Sequence, residues 1–225
     1  MNKTQLAIKN GRTVYTNNVF STANYNTNLL KLSSNKKLGK FISKGRHKNK
    51  YLYSLSLEER KTCPTSCFHW ETCYGNNMPF AHRFRVSKNL LVKLHKEIKL
   101  LSIKHKEGIL IRLHVLGDFY SVAYVKFWKK MLSLYPNISI FGYTARNPFS
   151  EIGDEIMKLR NKIWNRFSVR FSNSVIVKLT ANSEDLLSKK LLGLICPEQL
   201  NKVENCASCG LCWNNNIDNI IFKTH

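Results

Sequence analysis

Between residues 108 and 182 the apolar positions follow two alternating patterns. Short, mostly apolar runs fit buried strands, and longer stretches with apolar residues every three or four positions fit helices. The short runs predict strands at residues 109–116, 138–143, 167–171 and 175–179. The first three strands start at a regular spacing, which is typical of repeated βα units with parallel strands. The pattern therefore predicts an α/β fold whose sheet is either open or curved into a partial (β/α) barrel.

The helices of this region are marked by a serine followed by an apolar stripe, because serine caps helix N-termini well. Ser87 precedes a stripe made of Leu90, Leu91, Leu94, Ile98 and Leu101. Ser121 precedes a second stripe made of Tyr124, Phe127, Trp128, Met131 and Leu132. A third helix is predicted at residues 151–162, and Ser183 is expected to cap a further, short one.

The composition fits one domain with a tail, since 43% of the 225 residues are hydrophobic. No apolar run reaches the roughly 20 residues of a membrane span, and no signal-peptide core follows Met1. We therefore expect a cytoplasmic protein. The formal net charge of +22 implies an acidic partner, with nucleic acid expected first and an anionic membrane surface as the alternative.

Much of this charge precedes Thr62, where thirteen lysines and arginines face two glutamates. Residues 1–50 are expected to form a basic, partly flexible arm, either simply solvated or binding phosphates and stacking a base on an aromatic ring. Residues 51–55 are predicted to form a short strand that leads into a cysteine-rich loop.

All seven cysteines lie in two polar loops at short spacings, as a metal site requires. They are Cys63, Cys67 and Cys73 in the first loop, and Cys196, Cys206, Cys209 and Cys212 near the C-terminus. The steps of three residues after Cys206, with a Cys-Pro pair upstream, match a ferredoxin loop and favour an iron–sulfur cluster of the 4Fe-4S type. Zinc is the alternative, and disulfides fit worst because the number of cysteines is odd.

Polar residues follow the predicted strands, at the edge where α/β folds gather their functional groups. We expect His114, Asp118 and Arg146 to form a pocket there. Each also has a structural interpretation: His114 as a core histidine, Asp118 as a helix cap and Arg146 as a partner of Glu151.

Several motifs together resemble the phage gene product 88 family. They are Cys-Pro-x-x-Cys with a downstream Cys-Tyr-Gly, His-Val-x-Gly-Asp at a strand end, a distal Cys-Pro, and Cys-x-x-Cys-Gly-Leu-Cys-Trp before Ile-x-Phe-x-x-His. If the protein is phage-encoded, its expected location is the host cytoplasm. The outline is also similar to radical S-adenosylmethionine enzymes, which implies a partial barrel, a cluster on Cys63, Cys67 and Cys73 with one open iron, and Gly117-Asp118 as the motif that binds the methionine amino group.

The chain departs from the radical-enzyme pattern. Five residues precede Cys73 where two are usual, and Asp118 stands where a glutamate is usual. The cysteines can also be divided differently, with Cys196 joining the first three. In either division one site lacks a fourth cysteine, and its remaining position would go to His69, His225, water or a substrate.

Three functions remain open: an iron–sulfur protein that binds nucleic acid and performs radical or redox chemistry, a binding protein in which metal only staples loops together, and a small-molecule enzyme. The charge fits the third worst. The predicted division of the chain is a basic arm at residues 1–50, an α/β partial barrel at residues 51–193 and a metal-binding segment at residues 194–225.

Overall fold

The computed structural model describes residues 2–23, 28–33, 35–184 and 193–223. Its α-helices are α1 (Lys3–Lys9), α2 (Lys88–Lys104), α3 (Val122–Leu134), α4 (Glu151–Ile163) and α5 (Cys206–Cys209). Its strands are β1 (Val19–Phe20), β2 (Lys31–Leu32), β3 (Tyr51–Ser54), β4 (Arg83–Phe84), β5 (Ile109–Leu113), β6 (Ile138–Thr144), β7 (Phe167–Ser172), β8 (Thr180–Ser183), β9 (Leu194–Ile195) and β10 (Asn219–Phe222).

The described part of the chain builds one eight-stranded sheet in the order β2-β3-β5-β6-β7-β8-β10-β9. All neighbours pair in parallel except β2 and β3, which are antiparallel. The strands β1 and β4 form a separate parallel pair. The α/β class and the parallel strands are thus confirmed, and the described strands form an open sheet with β2 and β9 at its edges.

One face of the sheet is covered by helices. Alternate strand residues such as Ile109, Ile111 and Val169 point into a core that also contains Leu94 of α2 and Trp128 of α3. This arrangement follows from the period of two along a strand and the spacing of three to four along a helix. Burying an aliphatic side chain of this kind contributes roughly 1.5–3 kcal/mol to stability. The apolar positions that match the strand and helix periods are therefore the ones that form this half of the core.

The opposite face carries irregular chain instead of long helices. Leu110 of β5 and Phe141 of β6 pack here against residues from both ends of the protein. We call this surface the cysteine face, and its other buried members include Leu38, Ile42, Leu52, Cys196, Cys206, Cys212, Trp213 and Ile220. The cysteine-rich segment is therefore part of the core.

Most predicted elements are confirmed, including the strand at residues 51–55 and the three main helices. Ser121 caps α3 by accepting a hydrogen bond from the Tyr124 backbone N–H. Ser87 stands at the N-cap of α2, yet its side chain makes no cap hydrogen bond there, and its hydroxyl lies 2.6 Å from that of Thr22.

The prediction of a strand at residues 175–179 is wrong. Val175 and Ile176 are 62% and 59% exposed, and the next strand, β8, begins only at Thr180. Arg160 holds the intervening bend by donating to the carbonyl oxygens of Lys178 and Leu179. Ser183 ends β8 as a strand residue, and the short helix expected after it falls at residues 185–192, outside the described ranges.

Part of the basic N-terminal segment packs on the sheet. The backbone N–H groups of Leu29 and Leu30 donate to the Glu97 carboxylate, and Leu29, Leu30 and Ile42 are almost fully buried. The division of the chain at residues 50 and 193 stays a prediction, although all three segments contribute strands to the same sheet. None of the described helices combines the length and apolar character needed to cross a bilayer.

Candidate functional site

The first cysteine loop lies beyond the carboxyl end of β5 and is held by two buried arginines. Arg60 donates to the carbonyl oxygen of Trp70 at 2.9 Å and to Asn76 at 2.8 Å. Arg83 is fully buried and donates to the carbonyl oxygens of Gly75, Met78 and Ala81. This loop has little regular secondary structure, so these guanidinium groups satisfy carbonyls that strands or helices would otherwise pair.

A buried ion pair anchors Arg83 itself. Its Nε donates to the Glu59 carboxylate at 2.7 Å, and the Thr13 hydroxyl donates to the other oxygen of Glu59 at 2.6 Å. The N-terminal segment thereby helps to position the cysteine loop.

The three thiols of this loop interact electrostatically: burial raises the pKa of Cys63 most, the charge of Asp118 adds to the rise, and Cys67 and Cys73 contribute further. Burial raises the pKa of Cys67 to about 11. Backbone N–H groups of His69 and Gly75 donate to the sulfurs of Cys67 and Cys73. Amide N–H donors to cysteine sulfur are typical surroundings of metal-bound thiolates.

Asp118 joins the ends of two neighbouring strands. Its carboxylate accepts hydrogen bonds from the Thr144 hydroxyl at 2.8 Å, from the Ala145 N–H at 2.7 Å and from the Phe119 N–H at 2.7 Å. Burial raises the pKa of Asp118 to about 6, although these hydrogen bonds and the charge of Arg146 oppose the rise. With 3% exposure and both oxygens engaged, Asp118 stabilises the strand ends, and α3 is capped by Ser121 instead.

Arg146 joins the same network. Its guanidinium donates to the carbonyl oxygens of Phe119 at 2.7 Å and Thr62 at 2.5 Å. The Thr62 hydroxyl in turn accepts from the Asp118 N–H at 3.1 Å. The structure thus brings Asp118 and Arg146 together with Thr62, the residue immediately before Cys63. The partners of Arg146 are these backbone carbonyl oxygens, whereas the alternative expectation was an ion pair with Glu151.

His114 lies in the core beneath α3. Its Nε2 is 2.9 Å from the Tyr124 hydroxyl, and its ring packs against Phe119 at 4.9 Å between centroids. Burial lowers the pKa of His114 to about 3, so the ring is neutral at pH 7. These contacts match the core-histidine interpretation and direct His114 toward the aromatic core.

Gly117 is required by the close approach of the cysteine loop. Its φ is +85°, and a Cβ added there would lie 2.6 Å from the Thr62 hydroxyl and 2.8 Å from Leu57 Cβ. A side chain at this position would push the chain before Cys63 away from the strand ends.

The second cysteine site lies on the cysteine face. Cys206 donates a hydrogen bond to Cys212, and Cys196 adds to the electrostatic interaction at both Cys206 and Cys209. Backbone N–H groups of Glu198 and Gln199 donate to the Cys196 sulfur, and that of Leu211 donates to Cys209. Cys196 thus lies within electrostatic reach of Cys206 and Cys209.

Backbone pairing with the basic segment fixes the start of α5. The N–H groups of Cys206 and Ala207 donate to the carbonyl oxygens of Lys37 and Leu38, and Asn205 caps the helix by a reciprocal hydrogen-bond pair with Ser208. The two ends of the protein meet here to place Cys206 over the sheet.

Strand side chains surround Cys212 with positive charge. The Tyr143 hydroxyl donates to its sulfur at 2.8 Å, and the Arg112 guanidinium lies 4.4 Å from the Tyr143 ring centroid. The hydrogen bond from Cys206 lowers the pKa of Cys212 to about 6; burial opposes this, while Tyr143, Arg170 and Arg112 add to it. Cys212 is thus favoured as a thiolate, the form that binds metals.

Arg170 fastens the C-terminal segment to β7. It is fully buried and donates to the carbonyl oxygens of Cys212 at 2.9 Å, Ile217 at 2.9 Å and Asn214 at 2.6 Å. No motif or spacing in the sequence pointed to Arg112, Tyr143 or Arg170. An arginine inside each of two apolar strands could have indicated these residues. A charged side chain is buried in a sheet only when it has partners, so each arginine predicts a contact with other parts of the chain.

Across the described residues, no three histidine, cysteine or acidic side chains stand close enough together to bind a single metal ion. His69, a candidate for a remaining ligand position, lies 3.3 Å from the Thr72 hydroxyl through Nδ1. The other candidate, His225, lies outside the described ranges.

Comparison with known proteins places the chain in one family. The family description "Gene product 88" matches residues 24–215, a range that includes both cysteine sites and every strand from β2 to β9. No curated protein and no solved structure gives a significant match. The family expected from the cysteine and glycine–aspartate motifs is confirmed: the chain belongs to the gene product 88 family.

Proposed function

We propose that this protein is an iron–sulfur protein of the phage type that binds nucleic acid in the host cytoplasm. The observation that carries the proposal is that Cys196, Cys206 and Cys212 lie together on the cysteine face, within electrostatic reach of Cys209, with two arginine side chains beside Cys212. Cysteine thiolates are soft donors, which select iron–sulfur clusters or zinc.

The surroundings of these thiols fit a cluster in two respects. Amide N–H groups already point at the sulfurs of Cys196 and Cys209, and such hydrogen bonds tune cluster potentials. Arg112 and Arg170 supply charge to offset several thiolates in a buried place. When bound, a cluster would supply one-electron chemistry, and the chain would hold it through four cysteines. Zinc is the alternative occupant of the same residues.

The first loop supports a different use of metal. Cys63, Cys67 and Cys73 supply three thiols beside the carboxyl ends of parallel strands, so a 4Fe-4S cluster there would keep one iron open. That is the basis for proposing radical S-adenosylmethionine chemistry and a partial-barrel likeness. Asp118 gives this reading little support because Thr144, Ala145 and Phe119 already occupy its oxygens.

A second candidate function is a nucleic-acid-binding protein in which metal only staples the loops. The specific observation in its favour is that Asp118, Arg146 and Gly117 all serve the attachment of the cysteine loop. Under this proposal both sites contribute folding energy, as small metal sites commonly do, and neither turns over a substrate.

The deciding experiment is anaerobic purification followed by iron, sulfide and zinc analysis of three proteins: the unchanged chain, Cys209→Ala and Cys67→Ala. We expect iron and sulfide in the unchanged protein and a partial loss in each variant, because each removes a ligand from a different site. Zinc without sulfide would support the stapled protein, and metal content unchanged in both variants would overturn both proposals. Addition of S-adenosylmethionine should alter the cluster spectrum of Cys209→Ala and not that of Cys67→Ala if the first site has an open iron.

A further inference from the structure

A cavity of about 340 Å³ opens at the amino end of the parallel strands, on the opposite edge from the first cysteine loop. Its lining consists of Arg46, His47, Lys50, Ser139, Asn165 and Arg166. Lys50 stands just before β3, Ser139 near the start of β6, and Arg166 just before β7, so parallel pairing brings them to one edge.

Three of the lining side chains are cations without an acidic partner. None of the ion pairs formed within the described ranges involves Arg46, Lys50 or Arg166. Lys50 and Arg166 are close enough that the arginine contributes to lowering the pKa of the lysine, after burial. Like charges held together in this way favour an anion between them, because the anion relieves their repulsion.

Two of these cations, Lys50 and Arg166, are held in place by their own hydrogen bonds. The Lys50 ammonium donates to the carbonyl oxygen of Asn137 at 3.2 Å and to the Ser139 hydroxyl at 3.0 Å. Arg166 donates to the carbonyl oxygens of Leu132, Tyr135 and Ile138. Backbone hydrogen bonds from Ile42 to Lys50 and from Asn49 to Ile42 close the loop that carries Arg46.

A buried histidine at the wall provides an independent indication of a ligand. His47 is 2% exposed, lines the cavity, and its Nε2 has no hydrogen-bond partner among the described residues. An unpaired buried ring nitrogen costs free energy unless a ligand or water completes it.

Exposed aromatic rings stand at the same end of the sheet as the cavity. Phe41 and Tyr51 are 44% and 39% exposed and pack edge-to-face at 5.2 Å, and Tyr51 directly follows Lys50. Aromatic rings at the same end of the sheet as a cationic groove suit single-stranded nucleic acid, because its phosphates can occupy the groove while unpaired bases farther along the strand stack on the rings.

We propose that this cavity, formed by Arg46, His47, Lys50 and Arg166, binds a backbone phosphate of single-stranded nucleic acid. The ammonium and the guanidinium groups contact the phosphate oxygens, and an adjoining base lies against Phe41 or Tyr51. The inference rests on the proposed nucleic-acid binding and assigns it a location remote from the first cysteine loop.

The test compares two double variants that remove the same charge. Arg46→Gln/Lys50→Gln neutralises the cavity and leaves an amide able to donate to Asn137 or Ser139. The control, Lys129→Gln/Lys130→Gln, neutralises two exposed lysines of α3. A fluorescent single-stranded oligonucleotide of about twelve nucleotides is titrated with each protein at several salt concentrations, and pyrophosphate is titrated separately by calorimetry.

We expect the cavity variant to bind the oligonucleotide at least about tenfold more weakly than the unchanged protein, with a salt dependence of log K shallower by about 0.7 for each lost phosphate contact. The control should stay within about twofold. Pyrophosphate should bind the unchanged and control proteins and not the cavity variant. The exposed single change Arg46→Gln provides the same comparison if the double variant does not fold.

Equal weakening in both double variants, or none in the cavity variant, would overturn this inference while leaving nucleic-acid binding intact. If pyrophosphate binds at the cavity and no oligonucleotide binds, the cavity stands as a phosphate site and the assignment to nucleic acid falls together with the proposed nucleic-acid function. Phe41→Ala should weaken oligonucleotide binding without changing pyrophosphate binding; equal effects on both ligands would remove the stacking role.

Discussion

The hydroxyl of Tyr143 donates a hydrogen bond to the sulfur of Cys212 at 2.8 Å. Tyr143 belongs to a central strand, β6, whereas Cys212 comes from the cysteine-rich segment that lies across the sheet. This hydrogen bond therefore connects a strand in the interior of the fold directly to one of the proposed metal ligands.

Tyr143→Phe should therefore shift the potential of a cluster at the second site to a more negative value, because a donor to a ligand sulfur stabilises the reduced, more negative cluster. The free energy of unfolding should fall by only about 1 kcal/mol. Tyr135→Phe is the control, since it also removes a hydroxyl contact, at 2.9 Å from His95, away from the cysteines. Redox titration followed by absorbance checks this, and equal potentials in both variants would contradict it.

Arg170→Met should cost more than about 3 kcal/mol of unfolding free energy, because several buried carbonyl oxygens lose their donor and each unsatisfied acceptor costs about 1–3 kcal/mol. Among those carbonyls are Cys212 and Ile217. Denaturant unfolding measures the loss, and metal content should fall with it. Arg85→Met, at an exposed arginine, should change either quantity little; comparable losses in the two variants would count against the role of Arg170.

Gly117→Ala should destabilise the protein by about 2 kcal/mol more than Gly45→Ala. Both glycines have positive φ, +85° and +74°, so both substitutions incur the left-handed backbone cost. Only the Cβ at position 117 would collide with Thr62 and Leu57, whereas nothing lies within 4 Å at position 45. The extra cost is that of overpacking. Equal losses of unfolding free energy in the two variants, measured by chemical denaturation, would show that the cysteine loop shifts to accommodate the added Cβ at little cost.

Stability should also depend on pH through Asp118. Its folded pKa of about 6 lies above the ordinary value of 3.8, so the folded state keeps this proton longer than the unfolded state. The resulting stabilisation is present below about pH 4 and is lost as the pH rises to about 6. For a fully buried group the loss is at most about 3 kcal/mol.

The difference in unfolding free energy between the unchanged protein and Asp118→Asn isolates this effect. The unchanged protein should lose stability relative to the variant between pH 4 and pH 6.5, since asparagine does not titrate. Asp154→Asn, at a half-exposed carboxylate paired with Lys158, is the matched control measured over the same interval. A difference that stays constant with pH would place the Asp118 pKa near its ordinary value. Asp118→Asn should also lower stability at every pH, because one acceptor of the Thr144, Ala145 and Phe119 contacts becomes a donor.

Much of the helical half of the fold could be predicted from local pattern. The stripes after Ser87 and Ser121 and the apolar runs at β5, β6 and β7 have the periods that helices and strands impose. The prediction failed at Val175 and Ile176, because an apolar run reads the same whether it is buried in a sheet or exposed in a bend. The bend is held by a contact from elsewhere in the chain, because Arg160 donates hydrogen bonds to the carbonyl oxygens of residues 178 and 179.

The features of the candidate site also separate into those that a local pattern predicts and those that depend on the tertiary structure. The sequence by itself determined the family, the parallel α/β class and the grouping of thiols in two loops, because short spacings and periodic apolar positions are local properties of a chain. The tertiary structure decided that Cys196 lies within electrostatic reach of Cys206 and Cys209, that Asp118 and Arg146 bind backbone near Thr62, and that Lys50 lies close to Arg166. Each of these depends on residues that are distant in the chain and become neighbours only when parallel strands align, and no local pattern encodes that alignment.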